Sequence, residues 1–115
     1  MTTGGGGSAR PRGPLAAVLV TGPSMAPTLR HGDALLVRLG GRAVRPDDIV
    51  VAVFRSRPEL LVVKRAVRPA DGGWWVRGDN EFVTDDSRVH GVADVWGRVV
   101  ARYWPRPRRF SDRRL

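Results

Sequence analysis

The sequence predicts a mainly β fold: a small antiparallel, coiled sheet that closes partly into a barrel. Three observations predict it. The apolar runs are short, the 14 Gly and 9 Pro fall between them, and turn signals recur roughly every 8 to 14 residues. Residues 15–20 read as a first strand running into the Thr21-Gly22-Pro23 turn. Residues 34–39 form a second, closed by Gly40-Gly41. Residues 49–54 form a third, introduced by Pro46-Asp47-Asp48, and its unbroken Ile-Val-Val-Ala-Val-Phe run implies burial on both faces. A fourth strand at 60–67 is bounded by Pro58 and Pro69. Asp71-Gly72-Gly73 then turns the chain into a fifth at 74–77, as a hairpin. Residues 92–103 supply a final strand or pair of strands, with Gly97 as a bulge. Only residues 25–30 carry a helical turn, with Pro27 confined to its first turn.

At 115 residues the chain is one domain's worth. A Gly-rich, disordered leader is expected at 1–14, a catalytic domain at 15–104 and a basic tail at 105–115. The absence of cysteine excludes disulfides, thiolate zinc sites and a Cys nucleophile, which leaves hydroxyls, amines and carboxylates for chemistry. Neither a metal nor a cofactor is expected. The longest apolar run near the N-terminus is 15–20, far below the ~20 residues of a membrane span, so a cytoplasmic chain without a span is expected. A net charge of +9 invites a nucleic-acid or anionic-membrane partner. Seven of the Arg residues lie between positions 98 and 114, however, with Pro105 and Pro107 among them, so much of the excess reads as an extended tail.

Three segments stand apart. In the first, Ser24 follows a Gly-Pro turn and precedes Met25, a junction that can expose a hydroxyl beside backbone N–H groups; a helix N-cap is the simpler reading. In the second, Lys64 interrupts the apolar strand Leu60-Leu61-Val62-Val63. A lysine in a dry pocket has a lowered pKa and can accept a proton near neutrality, whereas a lysine on an exposed strand face does nothing of the kind. Adjacent strand residues face opposite ways, so at most one of Lys64 and Arg65 points inward, and Lys64 is favoured. The third segment runs from Gly78-Asp79-Asn80 through Thr84 to Asp86-Ser87-Arg88 and reads by itself as a polar loop. Its carboxylates lack the spacing of a calcium loop. His31 and His90 have no ligand pattern and read as surface or turn residues.

Pro23-Ser24-Met25-Ala26-Pro27-Thr28-Leu29, the following Gly32-Asp33, Lys64-Arg65, and the Gly78-Asp79-Asn80 to Asp86-Ser87-Arg88 box with Gly91 resemble, in order, the boxes of the signal peptidase I family. The likeness spans Thr21 to about Gly97. It implies a serine endopeptidase with a Ser-Lys dyad on an antiparallel β fold of the signal peptidase and LexA-like type. On that resemblance Ser24 matches the nucleophile, Lys64 the general base, and Thr84 the hydroxyl that orients the lysine. The backbone N–H of Ser24 supplies an oxyanion donor, Gly78, Asp79 and Asn80 support the site, and Asp86 and Arg88 brace the box as a salt bridge. Gly22 stands where many members carry a second oxyanion hydroxyl. Only thirteen residues separate Lys64 from Gly78, where larger members insert a second β domain. The small, unanchored members imply a precursor protein with a flexible N-terminal leader as substrate, that of nickel-type superoxide dismutase being the expected one.

Three other readings compete. A peripheral signal peptidase would dock on a membrane through Trp96, Tyr103, Trp104 and the Arg tail and act on secreted preproteins. The self-cleaving effector domain of LexA-like repressors shares the Ser-Lys chemistry, but the Gly-Asp-Asn box is foreign to it. A basic nucleic-acid-binding β-barrel would use the four Trp and the charge, yet it leaves the ordered boxes unexplained, so no nucleic acid is expected.

Overall fold

The computed structural model describes residues 13–110. The leader expected at 1–14 therefore lies outside the described residues up to residue 12, as does the tail from 111 onward. Seven strands, β1 (Leu15–Leu19), β2 (Ala34–Arg38), β3 (Ile49–Phe54), β4 (Arg57–Ala70), β5 (Gly73–Arg77), β6 (Ala93–Trp104) and β7 (Arg108–Arg109), form one antiparallel sheet, with a single short helix, α1 (Ser87–His90), between β5 and β6. The order is β1-β2-β6-β3-β4-β5, and β5 returns to β6 through the Trp74–Ala93 pair, so β6, β3, β4 and β5 form a ring. The fold is the mainly β, partly closed sheet that the sequence predicts.

The strand β3 shows why this sequence coils. Ile49 and Val51 enter one apolar cluster with Val18, Val20, Met25, Leu29, Leu35, Val37, Val99 and Phe110. Val50, Ala52 and Phe54 enter a second, inside the ring, with Ala66, Val76 and Ala93. Alternate side chains thus serve two cores, and all six residues are buried. Each fully buried large aliphatic or aromatic side chain of this strand contributes roughly 1.5–3 kcal/mol to stability.

The twelve-residue β6 is shared between the two halves. Its first half pairs with β3, and its second half pairs with β2 and β7. The register shift lies beside Gly97, the bulge position expected from sequence. A Cβ there would come within 2.7 Å of the Arg38 carbonyl, so only glycine lets β2 approach. Asp71 and Gly72, both at positive φ, close the β4–β5 hairpin.

Three local expectations fail. Pro58 and Pro69 lie within β4 rather than bounding it, because β4 pairs with β5 only at residues 65–70 and near its start has one open edge. The loop after Asp86 contains the one-turn helix α1, capped by the Asp86 side chain. Beyond residue 104 the chain returns to the sheet as β7 and buries Phe110 in the first core cluster, with the Arg108 guanidinium 4.8 Å above its ring.

Candidate active site

A cleft of about 430 Å³ separates residues 18–25 from residues 59–64 of β4, with Val83 and Asp85 at its rim. Both walls carry unused strand edge. Among the described residues β1 pairs with β2 alone, and β4 has no β5 partner before Arg65. Ser24 and Lys64 both line this cleft.

The Ser24 segment is a turn and not a helix. The Ala26 N–H donates to the Pro23 carbonyl (3.0 Å) and the Leu29 N–H to the Met25 carbonyl (2.9 Å), while Met25 and Leu29 anchor the turn in the core. Pro27 offers no N–H to continue it. The N-cap reading of Ser24 loses its helix, and the side chain is left half-buried at the cleft. Among the described residues the Ser24 N–H has no hydrogen-bond acceptor.

Lys64 is 3% exposed. It pairs with Val50 across the sheet, whereas its neighbour Arg65 turns to the other face, as strand alternation requires. Among the described residues Lys64 makes no salt bridge. Burial pushes its pKa below the ordinary lysine value; the charges of Asp86 and Asp85 oppose the shift and that of Arg88 adds to it.

The third segment holds the Ser24 turn from below. The Asn80 N–H donates to the Ser24 carbonyl (2.9 Å), and the Asn80 side-chain amide donates to the Pro23 carbonyl (3.0 Å). Asp79 accepts from the Thr28 hydroxyl (2.6 Å) and from Arg65, whose other end donates to the Asp47 carbonyl (2.9 Å). Gly78 packs so closely that a Cβ would sit 2.5 Å from the Ser24 carbonyl oxygen. Any larger residue would push the turn away.

Asp86 is fully buried. Burial alone would raise its pKa, but bonds from the Arg88 side chain, the Gly78 N–H and the Arg88 N–H hold it at about 2. Ser87 accepts from the Val76 N–H (2.8 Å) and locks α1 to β5. The box thus joins β5 to the Ser24 turn, with the Asp86–Arg88 pair as its internal brace.

Thr84 stands apart from this arrangement. It is exposed, it is not among the residues lining the cleft, and its carbonyl accepts from the Asp86 N–H (2.8 Å). The sequence reading passed over two histidine contacts. His31 Nδ1 accepts from the Gly22 N–H (3.0 Å), which fixes the backbone two residues before Ser24, and His90 Nε2 meets the rim carboxylate of Asp85. Neither is visible from spacing, since the first joins positions nine apart through a turn. Among the described residues no group of three or more His, Cys, Asp or Glu is placed to hold a metal ion, and no helix is long and apolar enough to cross a membrane.

The coiled antiparallel sheet thus places the Ser24 hydroxyl segment and the buried Lys64 on the walls of one cleft. Residues 5–100 match the Peptidase S24-like family, and the chain belongs to it. Among curated proteins it is similar to mitochondrial inner membrane protease subunit 1 of Xenopus tropicalis, at 31% identity over 114 residues covering 76% of this chain and 68% of that protein. The Mus musculus protein of the same name is 29% identical over 121 residues, covering 83% and 70%. The chain is therefore a protease of signal-peptidase-like kind.

Proposed function

We propose that the chain is a serine endopeptidase in which Ser24 is the nucleophile and Lys64 the general base. The observation that carries this reading is the buried Lys64, without a salt bridge among the described residues, on the cleft that Ser24 lines. Burial of the lysine favours its neutral form, and only the neutral amine can take a proton. The Ser24 Oγ attacks the scissile carbonyl carbon while its proton passes to Lys64 Nζ. The oxyanion so formed is met by the Ser24 N–H. Collapse expels the amine, which leaves with the proton from Lys64, and the acyl-serine ester is then hydrolysed by a water that Lys64 deprotonates.

The substrate enters as an extended segment. The open edges of β1 and β4 each offer backbone N–H and C=O groups to an added strand, which suits a flexible N-terminal leader on a precursor. The nickel-type superoxide dismutase precursor is the first substrate to test, on the strength of the family resemblance alone, and processing in the cytoplasm belongs to that reading. Incubating precursor with enzyme and with its Ser24→Ala variant, followed by mass spectrometry, should give one cleavage with the first and none with the second. Cleavage by both would remove Ser24 from the reaction.

A second reading is favoured by the exposed Tyr103 and Trp104 at the end of β6, beside Arg106. The relatives are named as inner membrane proteases, and such an aromatic-basic tip suits a peripheral enzyme acting on secreted preproteins. A strain lacking the protein separates the two: retained signal peptides would favour the membrane reading, and an unprocessed dismutase the first.

A further inference from the structure

Three charged side chains line the cleft, Glu59, Lys64 and Asp85, and each is held differently. Lys64 is buried and makes no salt bridge among the described residues. Glu59, on the β4 wall, is matched by Arg57 (2.8 Å). Asp85, at the rim, meets only His90 Nε2, which takes one carboxylate oxygen, Oδ1. Its Oδ2 has no donor among the described residues. The neighbouring Asp86 is engaged by Arg88 (2.7 Å). Asp85 is thus the carboxylate of the cleft lining that no Arg or Lys bridges among the described residues.

Asp85 is exposed, yet its surroundings are fixed. The His90 ring that holds it is mostly buried and lies 4.8 Å, centroid to centroid, from the core ring of Phe54. Two residues upstream, the Val83 N–H donates to the Asn80 carbonyl (3.1 Å), and the same Asn80 holds the Ser24 turn. The rim and the nucleophile turn therefore move as one piece. A carboxylate held beside Ser24 in this way reads one side chain of an extended segment, because a strand spaces its side chains regularly. Leu61, Val63 and Val83 also line the cleft. A Lys or Arg side chain can lay its aliphatic stem on such a lining while its charged head reaches the carboxylate at the rim.

Resting on the peptidase reading of this cleft, we propose that Asp85 is a specificity-determining residue that selects a lysine or arginine side chain in the bound leader, with His90 as the residue that positions it.

The test reads binding, which does not depend on catalysis. The full chain carrying Ser24→Ala is titrated into fluorophore-labelled, nine-residue alanine-rich peptides whose central residue is Lys, Gln or Glu, and fluorescence anisotropy is followed. An extended peptide of otherwise equivalent residues can slide until its one distinctive side chain meets Asp85. The Lys peptide should bind about three- to tenfold more tightly than the Gln peptide, as a partly shielded charge-assisted pair allows, and the Glu peptide more weakly than either. The net charge of +9 would by itself favour the Glu peptide, so this order cannot come from the overall field. Adding Asp85→Asn should erase the Lys advantage, and Asp85→Lys should transfer it to the Glu peptide. The proposal is overturned if the Lys and Gln peptides bind equally, if the Lys advantage survives Asp85→Asn, or if none of the three peptides binds. Cleavage of a leader peptide by the wild type tests the Ser24–Lys64 pair separately: a Lys preference without cleavage would remove the peptidase chemistry and keep the Asp85 site, and cleavage without a Lys preference would do the reverse.

Discussion

Lys64 and Arg98 stand in one cross-strand row, on either side of Val50, and both are buried, at 3% and 5% exposure. Lys64 lines the cleft, and Arg98 lines a separate hollow beside β6. The two regions differ because the two cations differ. A buried ammonium can shed its proton and become a base, and its pKa falls for that reason. A guanidinium keeps its charge in any protein environment, so its surroundings must supply negative charge, here starting with Asp48. Burial of a cation therefore lowers the pKa on one side of β3 and is met by a neighbouring carboxylate on the other.

Exchanging these properties should break the comparison most sharply. Lys64→Arg retains a cation of similar reach that cannot act as a base, and Lys64→Met retains the volume. Both should fall below about one per cent of wild-type turnover, as losing one member of a cooperative pair does. They should differ in stability: Lys64→Met should raise the unfolding free energy by roughly 1–2 kcal/mol, since an apolar chain replaces a desolvated amine. Chemical denaturation checks this, and a Met variant less stable than wild type would mean that Lys64 is held by contacts other than those described.

The pH profile sharpens the same point. Because burial lowers the Lys64 pKa, kcat/KM should fall as pH drops through that lowered value and level off above it, well short of the ~10.4 of a free lysine. An activity that begins to rise only above pH 10 would place Lys64 in water.

The brace of the third segment acts on stability instead. Asp86 titrates at about 2 in the fold and near 3.9 when unfolded. Its contribution, roughly 2 kcal/mol, is present above the unfolded value and is lost as pH falls toward 2. Asp86→Ala should cost roughly 2–4 kcal/mol near neutrality and flatten the acid limb of the stability curve by about one proton. Equal slopes for the variant and the wild type between pH 4 and 2 would remove Asp86 as the source.

The smallest effect is expected at His31. His31→Leu removes the acceptor of the Gly22 N–H and should lower kcat a few-fold with little change in KM, as one exposed hydrogen bond allows. His31→Asn should restore much of it, because Oδ1 can accept where Nδ1 did. No rescue by Asn would make the contact incidental.

Much of this protein was legible in its order of residues. The run 49–54 had to be buried on both faces, because six successive apolar side chains leave no polar face to turn to water. The alternation of a strand assigned opposite faces to Lys64 and Arg65, and Asp-Gly turned the β4–β5 hairpin. The ordered boxes from Ser24 to Arg88 pointed to the peptidase family before any contact was known. Other features depended on contacts between distant positions. The Phe110 anchor was hidden behind a run of Arg and Pro that by composition belongs to solvent, since one aromatic packs only if the sheet leaves it a place. Thr84 lies at the position the resemblance assigns to the lysine's partner, but it is exposed and outside the cleft lining. The Gly22–His31 bond and the ring closure of β5 on β6 were decided by tertiary structure alone. Each joins positions whose separation along the chain carries no periodic signal, so local propensity and spacing cannot encode it.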